Sequence, residues 1–291
     1  MANIISGKEL AEEIKAELKL KIDELKRKGK TPGLATILVG KSPASIIYVR
    51  NKGLACESLG IYSEQYNLDE NITQEDLVSL IHKLNQEDKI DGILVQLPLP
   101  KHLDEMNILA SISPDKDVDG FHFYSVGRFF CEKDYNNMKK NKLFLPATPY
   151  GIMEMLIRKN IKLEGANAVV LGRSNIVGKP IAMLLLSANA TVTICHSKTQ
   201  DLANICKNGD ILIAAIGKPK FVKQDMVKEG VVVIDVGINR VDDKIVGDVD
   251  FDEVSKKASL ITPVPGGVGP MTITMLMVNT VVSAERHLNE G

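Results

Sequence analysis

The sequence predicts an α/β protein: two α/β domains facing each other across a cleft, with a C-terminal helix that returns from the second domain to the first. Three observations predict it. Runs rich in Val, Ile and Leu alternate with helical repeats along the chain, the pattern of a parallel sheet flanked by helices. Residues 168–186, AVVLGRSNIVGKPIAMLLL, read as a strand that stops at Gly172 and turns into a helix after Gly178. Residues 272–284 are almost wholly apolar and follow the Pro/Gly-dense stretch TPVPGGVGPMT; a helix that is apolar on most sides must be buried.

Length and composition agree. A chain of 291 residues fits about two domains. Its 44% hydrophobic and 25% charged residues are those of a globular protein with a proper core. A formal net charge of -1 gives no basic excess, so no nucleic-acid or anionic-membrane partner is expected. No apolar run has the length of a membrane span and the N-terminus carries no signal-peptide core, so a cytoplasmic protein is expected. Cys56, Cys131, Cys195 and Cys206 are unevenly spaced without C-x-x-C, which indicates neither zinc nor a disulfide framework.

In chain order, Ser6 with Glu9 forms a capping box before Leu10, Ile14, Leu18, Ile22 and Leu25, and Gly29 ends that helix. LATILVG then reads as a buried strand, and Ser42 or Pro43 to Gly60 as a helix. Residues 61–67 suit a strand. Thr73 with Asp76 starts another helix, and GILVQL at 92–97 is a third strand. Residues 114–148, with the patch CEKDYNNMKKNK, lack periodicity and read as an exposed connection at the domain boundary. A helix follows Pro149. Strands are then expected at 168–171, 191–195, 210–215, 231–235 and 259–261, a five-stranded sheet. The last helix is expected from Thr272.

The strand-to-helix turn at Gly172 is an anion site, because free amides and the positive end of the helix dipole favour a phosphate. G-x-G-x-x-G is not met, since Ser174 takes the place of the second glycine. The next strand, TVTIC, ends in His196, Ser197 and Lys198. An NAD-binding domain places an acid there, about 20 residues past the glycines, to hold the ribose 2'-hydroxyl. Here a hydroxyl and a cation stand instead, with Arg173 close by, which suits the 2'-phosphate of NADP.

Tyr48 and Lys52 are four apart on a predicted helix and share a face; the pair is either a half-buried ring beside a surface charge, as on many helices, or a phenol beside a partly desolvated lysine usable as acid or base. Gln96 is polar in an otherwise apolar strand, and either caps the neighbouring loop or contacts a ligand. PDKDVDG resembles a calcium loop, but Val126 occupies the position that needs a bidentate Glu. Of its acids, Asp119 beside Gly120 is the one best placed to hydrogen-bond a heterocycle. The histidines show no paired ligand spacing, so no metal is expected. Cys195 and His196 point to opposite faces of a strand and cannot pair.

SPASIIYVRNK, GILVQLPLP, PDKDVDGFH, PATPYGI, VVLGRSNIVGKP, CHSKT, GDVD and PVPGGVGPMT occur in this order, and together the chain resembles the bifunctional methylenetetrahydrofolate dehydrogenase/cyclohydrolase family over essentially its whole length. The resemblance implies oxidation of 5,10-methylenetetrahydrofolate with NADP and hydrolysis of the methenyl product to 10-formyltetrahydrofolate, in a homodimer. It implies Lys52 as acid/base of the hydrolysis, tuned by Gln96, with Tyr48 stacked on the folate and Asp119 anchoring the pterin. Leu97, Pro98, Pro263, Gly267 and Thr272 would line the folate side. Gly172, Arg173, Ser174, Ile176, Val177, His196, Ser197, Ile216, Gly217 and Ile238 would hold NADP. Residues 1–145 with helix 272–289 would be the folate-binding catalytic domain and 146–271 the Rossmann-like NADP-binding domain. The family pattern is departed from at 128–145, which is longer and more charged, and at Lys179. The competing readings are an NADP-dependent dehydrogenase of another small substrate and a non-catalytic folate-binding protein of the same fold.

Overall fold

The computed structural model describes residues 2–290. Its elements, in order, are β1 (Asn3–Ile4), α1 (Gly7–Arg27), β2 (Gly33–Val39), α2 (Pro43–Leu59), β3 (Tyr62–Leu68), α3 (Gln74–Asn85), β4 (Gly92–Val95), α4 (Glu105–Ala110), α5 (Phe123–Cys131), α6 (Tyr135–Lys140) and α7 (Ala147–Arg158). There follow β5 (Asn167–Leu171), α8 (Gly178–Ser187), β6 (Thr191–Cys195), α9 (Leu202–Lys207), β7 (Ile211–Ala214), β8 (Val232–Asp235), β9 (Asn239–Val241), β10 (Lys244–Val246), α10 (Phe251–Val254), β11 (Leu260–Ile261) and α11 (Val268–Glu290). The chain divides into two compact units. Residues up to Glu12, Glu132–Met138 and Thr148–Thr272 form the first, and Glu13–Cys131, Lys139–Ala147 and Ile273 onward the second.

The first unit holds a parallel sheet in the order β1-β11-β8-β7-β5-β6. One face of it packs Val169, Leu171, Leu212, Ala214, Val233 and Ile261 against apolar side chains of α9 and α10. The sheet has six strands rather than the five expected. The extra one, β1, pairs two residues with β11, too short a run to show a period. The hairpin β9–β10 was also unforeseen. Its turn residues Asp242 and Asp243 both have positive φ, 46° and 61°, as a two-residue hairpin turn demands, without the Asn-Gly or Asp-Gly that usually announces one.

The second unit holds the three-stranded parallel sheet β3-β2-β4. Ala35, Ile37 and Val39 of β2 and Ile93 and Val95 of β4 pack on Leu77, Ile81 and Leu84 of α3. The caps behave as their residues dictate. The Glu9 amide donates to Ser6 Oγ at 3.3 Å, the Asp76 amide to Thr73 Oγ1 at 3.1 Å, and Gly60 closes α2 in the left-handed region at φ 73°.

Three expectations need correction. Residues 114–148 are not an exposed connection: α5 and α6 form there, and Phe129, Tyr135, Met138, Leu143, Phe144 and Leu145 are buried. Helices of nine and six residues span too few turns to reveal a period among the charges. The last helix begins at Val268, not Thr272, and α7 begins before Pro149. Pro270 and Pro149 each stand third in their helix, where the N–H has no intrahelical partner to lose.

From Ile273 onward α11 is fastened to the second unit by polar groups on a mostly apolar helix. Asn279 Nδ2 donates to the carbonyls of Val118 at 2.8 Å and Leu145 at 2.9 Å. Ser283 Oγ lies 2.7 Å from the carbonyl oxygens of both Asp91 and Asp115. His287 Nδ1 lies 2.8 Å from the buried carboxylate of Asp91, which also takes Lys30 at 2.7 Å. No helix among the described residues is long and apolar enough to cross a membrane.

Candidate active site

In the second unit, α2 starts with Pro43 in its first turn, where proline's fixed φ suits a helix start, and carries Tyr48 and, one turn on, Lys52. The lysine is buried. Its Nζ donates to Gln96 Oε1 at 2.9 Å, and Gln96 Nε2 donates to the Leu97 carbonyl at 2.8 Å, which fixes the amide with its oxygen toward the lysine. Gln96 lies one residue beyond β4 rather than inside a strand, and its own N–H still reaches Ile37 O at 2.8 Å. Of the two readings open for Gln96, the structure supplies the loop contact, through the Leu97 carbonyl, and its oxygen takes the lysine. Leu97 is half-buried, Pro98 exposed, and the peptide between them is cis.

Burial lowers the Lys52 pKa, and the negative charge of Asp119 opposes that shift. Burial raises the carboxyl pKa of Asp119, against the pull of Lys52 and of the Ala147 amide. The Tyr48 phenol is half-buried and raised by the same desolvation. Each shift penalises the charged form, as removal from water must. Lys52, Gln96 and Asp119 are thus brought together, with a lysine closer to its neutral form than usual, which can take or give a proton.

The turn that carries Asp119 is built by a neighbour. Asp117 accepts the amides of Phe121 at 3.1 Å and His122 at 2.9 Å, and burial above all pushes its carboxyl up to about 7. Gly120, at φ 72°, lets the chain reverse there. Sequence reasoning treated Asp117 as a discarded calcium ligand. It also missed Asn279, whose bond to Val118 O holds the same turn from α11.

In the first unit, β5 runs into Gly172 at φ 129°, and a Cβ there would lie 2.2 Å from Ala215 O. At Gly178 a Cβ would lie 2.4 Å from Gly172 O. Both positions therefore require glycine, and the loop between them is drawn tightly over the strand end. Ser174 Oγ accepts the amides of Val177 at 3.1 Å and Gly178 at 3.2 Å, so it braces the loop where a second glycine would stand. Arg173, Ser174 and Ile176 are exposed and Val177 half-buried.

His196 follows β6 at the adjacent strand end; its Nδ1 accepts the Lys198 amide at 3.1 Å, and its own N–H reaches Thr199 Oγ1 at 2.8 Å. Ser197 and Lys198 are exposed. Ile216 and Gly217 follow β7 and Ile238 follows β8, so these candidates cluster at the C-terminal ends of the parallel strands, where such sheets bind ligands. A glycine-lined cradle with serine, arginine and lysine beside it fits the phosphates of NADP. Pro263 and Gly267 lie in the turn before α11, and Thr272 Oγ1 pairs with Thr148 Oγ1 at 2.9 Å, all within the first unit. Among the described residues no group of three or more His, Cys, Asp or Glu could hold a metal.

The catalytic-domain family model for tetrahydrofolate dehydrogenase/cyclohydrolase matches residues 5–119, and the NAD(P)-binding-domain model of the same family matches 146–288. The chain is 55% identical over 285 residues, 98% of its length, to a bifunctional protein FolD of Acetivibrio thermocellus, of which it covers 97%. The chain belongs to the tetrahydrofolate dehydrogenase/cyclohydrolase family. A solved FolD from Campylobacter jejuni superposes with a TM-score of 0.92 at 53% identity, covering 98% of this chain and 99% of that one. A FolD from Trypanosoma brucei, solved with NADP and an inhibitor, superposes with a TM-score of 0.92 at 39% identity, covering 98% of each chain. The lysine cluster of Lys52, Gln96 and Asp119 falls within the first matched region and the glycine cradle at Gly172 and Gly178 within the second.

Proposed function

We propose that this family member oxidises 5,10-methylenetetrahydrofolate to the 5,10-methenyl cation with NADP and hydrolyses that cation to 10-formyltetrahydrofolate. The observation that carries the reading is the buried lysine of α2 bonded to Gln96 and facing Asp119, in a chain whose other unit carries a phosphate cradle. When bound, NADP supplies the hydride acceptor for the first step. That step mainly requires the ligands to be held in register, since the flanking nitrogens already push electrons to the carbon.

The hydrolysis needs proton movement. Water adds to the carbon between N5 and N10 and gives one proton to Lys52 Nζ; Lys52 passes that proton to N5 as the carbon–N5 bond breaks, and the remaining hydroxyl proton leaves to solvent as the formyl C=O forms. Gln96 Oε1 holds the ammonium in place, and Asp119 offsets part of the burial cost while hydrogen-bonding the pterin. Tyr48 stacks on the folate. Leu97 and Pro98, with Pro263, Gly267 and Thr272, complete the folate side. Gly172, Arg173, Ser174, Ile176 and Val177 bind the phosphates, His196 and Ser197 the 2'-phosphoryl ribose, and Ile216, Gly217 and Ile238 the nicotinamide half.

The second unit, most of the expected 1–145 with helix 272–289, serves as the catalytic domain, and the first, which takes in residues up to Glu12 and Glu132–Met138 besides most of the expected 146–271, as the NADP-binding domain. We assign a cytoplasmic homodimer on the family resemblance. A spectrophotometric assay with 5,10-methylenetetrahydrofolate and either NADP or NAD tests the reading: methenyl absorbance appears with NADP and then decays faster than in buffer. Reduction of neither cofactor by the folded protein would refute it.

A further inference from the structure

Two buried aspartates outside the assigned ligand contacts bind the loops at the ends of β7 and β8. Asp248 Oδ2 accepts the amides of Ile216 at 2.6 Å and Gly217 at 2.9 Å, and Oδ1 accepts that of Lys218 at 2.8 Å. Asn239 Nδ2 donates to the same Oδ1 at 2.9 Å. Three consecutive amides converging on one point make an anion-binding concavity, and here the chain fills it with its own carboxylate.

Asp235, at the end of β8, holds Asp248 in turn. Its Oδ1 accepts the Gly237 amide at 3.0 Å and the Asp248 amide at 2.9 Å, and its Oδ2 the Val249 amide at 2.9 Å. The chain is shaped to admit both carboxylates. A Cβ on Gly247 would lie 1.8 Å from Asp235 Oδ2, and one on Gly237 would lie 2.3 Å from the Asp248 carboxyl. Asp248 has no exposed surface, its four bonds are part-buried, and bonds to a charged acceptor are among the strong ones.

We propose that Asp248 is a positioning residue for hydride transfer: its carboxylate fixes the 216–218 loop and, through Asn239, the 237–239 loop, and so sets the seat of the nicotinamide half of NADP. This rests on the assignment of Ile216, Gly217 and Ile238 to that half. The carboxylate itself faces protein amides, so it acts through the loops and not by touching the ligand. The adenosine half, at Arg173 and Ser197, is held by other loops and does not depend on it.

The test measures Asp248→Ala and the milder Asn239→Ala, which removes one donor from a half-buried position, by fluorescence titration with NADPH and by displacement with adenosine 2',5'-bisphosphate, a fragment lacking nicotinamide. NADPH binding is expected to weaken by about tenfold in Asp248→Ala and by about threefold in Asn239→Ala, with fragment binding unchanged. Hydrolysis of supplied methenyltetrahydrofolate persists, while the KM for NADP rises. Equal weakening of NADPH and fragment, or no change in either, overturns the proposal; should Asp248→Ala not fold, the same comparison on Asn239→Ala decides. A wild-type protein that binds neither compound would instead refute the NADP reading itself.

Discussion

Lys52 Nζ and Gln96 Oε1 lie 2.9 Å apart across 44 residues of sequence, joining the middle of α2 to the residue that follows β4. The bond matters because a buried ammonium needs a partner that does not neutralise it. A glutamine oxygen accepts the proton-bearing nitrogen without locking it as a full ion pair, and Asp119 supplies charge from further away. The proposed proton transfer through Lys52 therefore depends on the balance between burial and Asp119.

That balance predicts a pH effect. Burial lowers the Lys52 pKa and Asp119 raises it, so Asp119→Asn lowers it further. The limb of the hydrolysis profile that rises with pH, as Lys52 loses its proton, is expected to move to lower pH in this variant, with a lower maximal rate if Asp119 anchors the pterin as proposed. Initial rates on methenyltetrahydrofolate in buffers of constant ionic strength check this; a limb that stays or moves upward contradicts the assigned coupling.

Asn279→Ala removes both bonds from α11 to the carbonyls of Val118 and Leu145, leaving two buried acceptors unpaired. Such a loss costs about 2 kcal/mol or more, and it loosens the turn that presents Asp119. Urea denaturation is expected to show the lower midpoint, and hydrolysis to fall more than NADPH binding.

Cofactor choice follows from the charge at the end of β6. Ser197→Asp puts a carboxylate where the 2'-phosphate is proposed to bind, and kcat/KM with NADP is expected to drop by about a hundredfold relative to NAD, with Arg173→Ala giving about tenfold. Unchanged selectivity in both variants would place the 2'-phosphate elsewhere.

Much of this was legible because the signals are local. Ser6 with Glu9, Thr73 with Asp76 and the Gly172-to-Gly178 turn each announce themselves within a few residues, and the alternation of runs gives parallel sheets directly. The family motifs then marked Lys52, Gln96 and Asp119 as one set. What stayed hidden depends on long-range packing. Nothing near Asp248 shows that it meets the amides of 216–218, although the small residues Gly237 and Gly247 beside acidic strand ends hint at a close approach. The short helices α5 and α6 bury Phe129 and Met138 in runs too short to show a period, and two-residue β1 carries no pattern at all.

The most direct measurement compares wild type with Lys52→Met on two substrates. With methylenetetrahydrofolate and NADP, the variant is expected to retain some hydride transfer and to accumulate the methenyl product; given methenyltetrahydrofolate, it should hydrolyse it no faster than buffer. A folded Lys52→Met protein that hydrolyses at the wild-type rate, or that loses both activities equally, would contradict the assignment of proton transfer to this lysine.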